Sequence, residues 1–222
     1  MSALIAGAAL AQDKPDLKDP KLRVSYAIGT DIGSKMKEQG LEIDPKALAA
    51  GLADAFAGKP ALTPAEVGQT LTEFSKDMQT KMASKQKAAG EENVKKGEAF
   101  LAANAKKEGV KVLPSGLQYK VLKAGSGKSP KATETVKVHY HGTLIDGTVF
   151  DSSVEKGMPA TFGVSQVIPG WIEALQLMKE GDKWQLVIPS KLAYGERAPG
   201  GKIGPNSVLV FEVELISIEK PS

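Results

Sequence analysis

The sequence predicts an α+β protein with an all-α N-terminal module, a long connecting helix, and a C-terminal twisted antiparallel sheet wrapped on one short helix. The composition changes near Pro114: Ala, Lys, Glu and Gln dominate before it, whereas Val, Ile, Tyr, Phe, Gly and Pro prevail after it. Helix formers therefore precede strand formers. Apolar residues also recur every three or four positions in the first half and every second position in the second half, which are the periods of a helix and of a strand.

Three amphipathic helices are predicted before Pro114. The first two each carry one apolar stripe that is followed by a glycine. Asp44-Pro45 supplies the N-cap and the first-turn proline of the second helix, and Thr63-Pro64-Ala65-Glu66 is a capping box that begins the third. The stripes consist of Val24, Ile28, Ile32 and Met36 in the first helix, and of Leu48, Leu52, Ala55 and Phe56 in the second.

The third helix has no internal proline until Pro114 and becomes rich in Lys, Ala and Glu beyond Met82. If it were unbroken, about 45 residues would extend for roughly 70 Å. Gly90 and Gly97 each weaken it. We therefore expect an exposed helical stalk, with a break at Gly90 as the alternative.

The N-terminal module is too small to bury a core of its own. A unit of about 60 residues made of two short helices and one apolar seam is marginally stable alone. Self-association through the apolar stripes, which gives a homodimer, is the favoured interpretation. The alternative is that these helices pack on the C-terminal domain of their own chain.

The composition excludes several classes of site. The chain has no cysteine, so disulfides, thiol nucleophiles and thiolate metal sites are absent. The two histidines, His139 and His141, alternate with Val138 and Tyr140, which places both on the outer face of a strand. We therefore expect no metal and no cofactor. A net charge of +3 is too small to indicate a nucleic-acid partner.

The N-terminus resembles the end of a secretory signal. Residues 2–11 are apolar and end in Ala9-Leu10-Ala11, like the apolar region and cleavage site of such a signal. The run is too short to be a transmembrane segment, and a basic region before it is missing. We interpret residues 1–15 as a disordered signal remnant and expect export to the periplasm or cell envelope. A plain apolar tail is the alternative.

Four half-buried strands are predicted in the second half, because apolar and polar residues alternate there. Between the second and third strands, Ile172, Leu175 and Met178 form an apolar helical face, and Gly181 follows as a stop. One short helix against an antiparallel sheet is an α+β arrangement. The alternating sets are Leu117, Tyr119 and Val121; Val136, Val138 and Tyr140; Trp184, Leu186 and Ile188; and Leu209, Phe211, Val213 and Leu215.

Five motifs follow one another in this half: VHYHGTL at 138–144, DGTVFDSS at 146–153, VIPGWIEAL at 167–175, AYG at 193–195 and LVFEVEL at 209–215. Their order and spacing resemble those of the FK506-binding protein (FKBP) type of peptidyl-prolyl cis/trans isomerase. SYAIG at 25–29, LPSGLQYKV at 113–121 and ALQLM at 174–178 further resemble the macrophage infectivity potentiator (Mip) subfamily of bacterial, exported, dimeric FKBPs.

The resemblance implies the organisation and the partners. Residues 16–72 would be a helical dimerisation domain, residues 73–112 a long connecting helix, and residues 113–222 the isomerase domain, in a V-shaped homodimer. The two stripes, including Val24, Ile28, Ile32, Met36, Leu48 and Leu52, would form the dimer interface. Partners would be proline-containing polypeptides, and the macrolides FK506 and rapamycin would inhibit.

The resemblance also implies the site residues. Trp171 would form the floor of an apolar cleft, Tyr194 would donate its hydroxyl to a substrate carbonyl, and Asp151 would lie at the rim. The catalytic set is Asp151, Tyr194, Trp171 and Phe211. The substrate-binding set is Tyr140, Phe150, Phe162, Val167, Ile168 and Ile203.

Each role has a structural alternative when the residues are considered alone. Trp171, Tyr140 and Phe211 could be plain core, Asp151 a turn or cap residue, and Tyr194 an exposed ring in a turn. Ala160 stands where many family members have an aromatic residue, so the cleft is expected to be more open.

The expected function is rotation of X–Pro amide bonds without covalent chemistry, which assists protein folding, together with chaperone activity. The alternative is a dimeric peptide-binding chaperone with little catalysis.

Overall fold

The structure, a computed structural model, describes residues 15–219. Apart from Pro15, the predicted signal remnant lies outside the described residues. The chain divides into two compact units, one extending to Thr72 and the other beginning at Glu73. Within residues 15–219, no helix is both long and apolar enough to cross a membrane. The helices are α1 (Pro20–Glu38), α2 (Pro45–Phe56), α3 (Pro64–Asn104) and α4 (Pro169–Leu177). The strands are β1 (Val110–Val112), β2 (Gln118–Lys123), β3 (Thr135–Leu144), β4 (Val149–Ser152), β5 (Ala160–Gly163), β6 (Lys183–Ile188) and β7 (Leu209–Glu219).

Side-chain caps begin the first three helices. Asp44 accepts hydrogen bonds from the backbone amides of residues 46 and 47 at 2.8 and 2.9 Å, as the sequence predicted. Asp19 caps α1 in the same way. In the capping box of α3, the Thr63 amide donates to Glu66 at 2.8 Å and the Glu66 amide donates to the Thr63 hydroxyl at 3.3 Å. These contacts satisfy amides that a helix leaves without internal partners.

The first unit has no buried core of its own. Among residues 15–72, none is buried. Val24 is 59 % exposed and Leu52 is 61 % exposed, although both belong to apolar stripes. The apolar stripes of α1 and α2 are exposed to water. This unit therefore does not gain the free energy that burial of these stripes would provide.

Two predictions about the third helix, α3, are wrong. It is continuous over 41 residues, so the alternative break at Gly90 is wrong. It ends at Asn104 rather than at residue 112, and residues 110–112 form β1. The chain leaves the helix through a turn in which the Lys107 amide donates to the Asn104 carbonyl and Gly109 adopts a φ of 76°, a conformation that favours glycine.

The exposed stalk is a third correction, because the C-terminal half of α3 belongs to the second unit and packs on other parts of it. Gly90, Gly97 and Asn104 are buried and recur every seven residues on one face. A Cβ atom at Gly97 would lie 2.7 Å from Val208 Cγ2, so only glycine allows this approach. The side chain of Asn104 donates to that of Gln118 at 2.9 Å.

The second unit contains a seven-stranded antiparallel sheet with the order β1-β2-β6-β7-β3-β4, in which β5 also pairs with β3. The predicted alternating sets of β3, β6 and β7 are all buried, whereas Val121 of β2 is exposed. Helix α4 buries Trp171, Ala174 and Leu175 against the sheet; Ile172, predicted on this face, is only partly buried.

The histidines serve a structural purpose in β3. His139 Nδ1 lies 3.1 Å from Ser153 Oγ, and His141 Nδ1 lies 3.0 Å from Ser152 Oγ. Both rings lie on the outer face of β3, as predicted, opposite the buried Val138 and Tyr140, and both are half-buried. They tie β3 to the end of β4, which carries part of the site.

Candidate active site

A cleft of about 800 Å³ opens between α4, the sheet and the chain that follows Tyr194. Every residue that the resemblance assigned to the site lines it. These residues are Tyr140, Phe150, Asp151, Phe162, Val167, Ile168, Trp171, Tyr194, Ile203 and Phe211. Such concave apolar spaces with a few polar groups are typical of ligand sites.

Trp171 forms the floor at the N-terminal end of α4. Its ring meets those of Tyr140, Phe162 and Phe211 edge to face, with centroids 5.5, 5.9 and 5.2 Å apart. This arrangement suits the charge distribution of aromatic rings. The indole is only 4 % exposed, yet it borders the cleft, and its Nε1 has no hydrogen-bond partner within the described residues. The indole is therefore both a core residue and a cleft surface.

Strand β3 leaves room for the aromatic walls at Gly142. This residue pairs with Asp151 of β4 and with Phe211 of β7. A Cβ atom there would lie 2.8 Å from the rings of Phe150 and Phe211. Phe150 and Phe211 meet edge to face at 5.4 Å because glycine stands between them. Sequence reasoning missed this residue; a glycine inside an alternating strand was the available signal.

Asp151 is the centre of the polar rim. Its Oδ2 accepts a hydrogen bond from the Tyr140 hydroxyl at 2.6 Å, and its Oδ1 accepts one from Lys156 Nζ at 2.6 Å. In the turn that follows Asp151, the side chain of Ser152 accepts a hydrogen bond from the Glu155 amide at 3.1 Å. Sequence reasoning did not predict that Lys156 pairs with Asp151, because the position of a lysine in a surface turn does not indicate which carboxylate it will contact.

The electrostatics of this pair keep Asp151 charged and Tyr140 neutral. Burial on its own would raise the pKa of Asp151, but the hydrogen bonds from Lys156 and Tyr140 outweigh it and lower the pKa. Burial, reinforced by the hydrogen bond to Asp151, raises the pKa of Tyr140 well above its usual range. The rim therefore presents a fixed carboxylate at neutral pH.

The loop of residues 195–206 forms the remaining wall. Tyr194, just before it, lines the cleft and is 41 % exposed. Lys202 Nζ donates to the Val149 carbonyl at 2.7 Å, which ties the loop to β4. Gly200 and Gly201 have positive φ angles of 90° and 65° and also line the cleft. The predicted residue sets did not name these glycines, Lys202 or Gln166, which also line the cleft; the Gly-Gly pair was a signal in the sequence.

Ala160 does not border the cleft. It lies in β5, partly buried against the core, and is not one of the lining residues. The expectation that the cleft is more open because an aromatic residue is missing here stays a prediction.

Comparison with known proteins decides the family. A profile described as the FKBP-type peptidyl-prolyl cis-trans isomerase matches residues 126–216, and one for the domain amino terminal to it matches residues 21–121. The outer membrane protein MIP of Legionella longbeachae is 49% identical over 221 residues, covering 99% of this chain and 95% of that protein. The chain belongs to the FKBP-type peptidyl-prolyl cis-trans isomerases.

Two further relatives extend over most of this FKBP-type isomerase. The peptidyl-prolyl cis-trans isomerase Mip of Coxiella burnetii is 48% identical, covering 92% of this chain and 89% of that protein. The crystal structure of FkpA from Escherichia coli superposes with a TM-score of 0.72 at 40% identity, covering 93% of this chain and 98% of that one. The predicted family and fold class are confirmed.

Proposed function

We propose that this isomerase rotates X–Pro amides of proline-containing polypeptides in the cleft above Trp171, without covalent chemistry. One observation carries the proposal: the residues assigned from the family resemblance meet around one apolar, ring-lined space. Their sequence positions range from Tyr140 to Phe211, so only the fold brings them together.

The physical basis is the resonance of the amide bond. Rotation has a barrier of about 18–20 kcal/mol, because the planar amide is stabilised by charge separation. Water stabilises that separation, whereas the twisted amide is less polar at oxygen. A dry cleft therefore favours the twisted form. A 10⁴-fold acceleration requires about 5.4 kcal/mol of preferential transition-state stabilisation.

The polar groups orient the substrate in this proposal. The prolyl ring would lie on the Trp171 indole, the Ile168 backbone amide would bind one substrate carbonyl, and the Tyr194 hydroxyl would bind another. Asp151, held by Tyr140 and Lys156 at 2.6 Å each, would interact with the twisting amide region. A carboxylate held from two sides needs no reorganisation during the reaction.

FK506 and rapamycin are expected to occupy the same cleft. The test is a protease-coupled assay on a prolyl tetrapeptide with and without FK506. We expect acceleration over the uncatalysed rate and its loss when FK506 is added. An unaccelerated rate would refute the catalytic assignment.

A homodimer with chaperone activity is the second part of the proposal. The absence of any buried residue in the described chain up to Thr72 supports a partner for the stripes that contain Val24, Ile28, Ile32, Met36, Leu48 and Leu52. Residues 16–72 would form the dimerisation domain. Two linked clefts raise the effective concentration of a second site near a bound client.

The alternative, a peptide-binding chaperone with little catalysis, gives a different pattern of results. It predicts that the full chain suppresses aggregation of an unfolded client but does not accelerate isomerisation. Catalysis that FK506 abolishes while aggregation suppression persists would show that the two activities coexist.

Export to the periplasm or cell envelope is proposed for this chain. The name of the Legionella longbeachae relative places that protein in the outer membrane. Fractionation of cells that express the full chain would test the location, and retention in the cytosol would contradict it.

A further inference from the structure

Helix α3 contacts the end of the loop that forms one wall of the cleft. Asn93 Nδ2 donates to the Pro205 carbonyl at 2.8 Å and lies 3.4 Å from Ser207 Oγ. The two bonded residues are 112 positions apart in sequence. Asn93 itself does not line the cleft, so it can affect the cleft only through the segment that it binds.

This segment is directly continuous with the cleft wall. Ile203, a lining residue, precedes Pro205 by two positions. The next residue, Asn206, donates its amide to the Gly195 carbonyl at 2.8 Å, which joins the two ends of the loop of residues 195–206. Gly195 in turn follows Tyr194. The point that Asn93 holds is therefore adjacent to both ends of the wall.

The fit between α3 and this segment is close. A Cβ atom at Gly90 would lie 3.3 Å from Pro205 Cβ and 3.3 Å from Asn206 Nδ2. A Cβ atom at Gly204 would lie 3.1 Å from Asn93 Nδ2. Asn206 has a φ of 57°, a conformation that costs free energy and needs support from its surroundings. The helix supplies that support from one side.

We propose that Asn93 is a positioning residue that holds the loop of residues 195–206 in the conformation that forms the cleft wall. Helix α3 then contributes to substrate affinity although no residue of it touches the cleft. This inference rests on the proposed use of the cleft as the substrate site.

The consequence should appear in KM rather than in kcat. If the loop adopts the wall conformation for only a fraction of the time, the apparent dissociation constant rises in inverse proportion to that fraction. Once substrate is bound, its own contacts hold the loop, and the chemical step proceeds as before. A residue that acted on the reacting amide would instead lower kcat.

The test compares Asn93→Asp with Gln79→Glu. Asn93→Asp keeps the shape but removes the donor and turns a carboxylate toward the Pro205 carbonyl. Gln79→Glu makes the same amide-to-carboxylate change at an exposed position of α3. For Asn93→Asp we expect KM for a prolyl peptide to rise roughly three- to tenfold, with kcat within about twofold of the parent. Gln79→Glu should leave both unchanged.

A second measurement does not depend on catalysis. Hydrogen exchange of the Asn206 amide, whose bond to Gly195 joins the loop ends, should be roughly three- to tenfold faster in Asn93→Asp. Gly97→Ala gives an independent variant, because its new methyl group would displace Val208. It should give the same rise in KM and the same faster exchange, even if Asn93→Asp folds poorly.

Several outcomes would overturn the inference. Unchanged KM and unchanged Asn206 exchange in the Asn93→Asp and Gly97→Ala variants would do so. A lower melting temperature with unaltered KM would show a role in stability alone, and an equal effect of Gln79→Glu would show a mere charge effect. If the parent chain does not catalyse at all, the proposed function fails, and Asn206 exchange alone decides whether Asn93 positions the loop.

Discussion

At the residue scale, Asp151 combines exposure with tight restraint. Its side chain is 40% exposed in the ion pair with Lys156, yet both oxygens are engaged at 2.6 Å. A surface ion pair of this kind contributes little to stability. In the proposed mechanism its value lies in orientation, because the carboxylate would already be in place when substrate arrives.

Substitution of the polar rim should reduce catalysis without unfolding the protein. Tyr194→Phe would remove the neutral hydrogen bond that is proposed to form with substrate, and it should lower kcat/KM by about three- to tenfold. Asp151→Leu removes a charged group and should lower it by about tenfold or more. Kinetics on a prolyl peptide, with circular dichroism as the control for folding, measure both. Unchanged kcat/KM in both variants would remove these assignments.

The lowered pKa of Asp151 leads to a prediction for pH. The carboxylate stays ionised and Tyr140 stays protonated, so neither group should titrate in the kcat/KM profile between about pH 5 and pH 9. A depressed carboxylate pKa stabilises the fold above the unfolded value of about 3.9, and this contribution is lost as the pH falls through the lower folded value. The free energy of unfolding of Asp151→Asn should therefore fall less in acid than that of the parent chain. An inflection inside the window that Asp151→Asn abolishes would contradict this.

At the element scale, close approach of backbones positions the site. Helix α4 approaches β6 so closely that a Cβ atom at Gly170 would lie 2.5 Å from Ile188 Cγ2. Gly170 immediately precedes Trp171, so the depth of the cleft floor depends on this contact. Helix α3 uses Gly97 in the same way against Val208.

Gly170→Ala should therefore displace α4 and lift the indole. We expect a loss of about 1–3 kcal/mol in the free energy of unfolding, as in other overpacked cores, together with lower kcat/KM. Urea denaturation measures the first effect. In the double variant Gly170→Ala/Ile188→Ala, the clash is relieved, so the loss should be smaller than the sum of the single losses. Strict additivity would argue against the contact.

Helices and strands were predictable where the local spacing of apolar residues or a local capping motif determines them. The buried sets of β3, β6 and β7 follow from alternation, and the starts of α2 and α3 follow from Asp44 and Thr63. The glycines of α3 were misinterpreted, because intrinsic propensity treats Gly90 as a weak point whereas the fold uses it as a contact. The end of α3 at Asn104 was missed, because its side chain bonds to Gln118, a tertiary contact.

The ten residues assigned from the family resemblance all reach the cleft, whereas Lys156 and Gly142 were missed. Motif spacing identifies positions that one family shares. It does not indicate which lysine will meet Asp151 in space, nor which glycine makes room for Phe150 and Phe211. Those relations depend on the pairing of strands that are distant in sequence.

At the scale of the whole molecule, the first unit is the part of the chain that is proposed to form the homodimer. Its apolar stripes are exposed within the described chain, and self-association is the proposed way to bury them. A homodimer would place two clefts in one particle. The contribution of apolar burial, about 25 cal/mol per Å², would then come from a partner chain.

Charges placed on the stripes should dissociate the dimer. Ile28→Glu together with Leu52→Glu should halve the particle mass from twice 23.4 kDa in sedimentation equilibrium, because a carboxylate cannot be buried without a partner. Thr30→Glu, on the opposite face of α1, is the matched control and should remain dimeric. A parent chain that already sediments as a monomer would contradict the proposed assembly.

The central claim, that this chain catalyses X–Pro isomerisation, is tested most directly by nuclear magnetic resonance exchange spectroscopy. This measurement observes cis–trans exchange of a prolyl peptide and needs no protease. With catalytic amounts of the full chain, we predict cis–trans exchange cross-peaks within seconds, which FK506 eliminates. Chemical-shift changes without any acceleration of exchange would show that the cleft binds proline but does not turn it over, and would contradict the account.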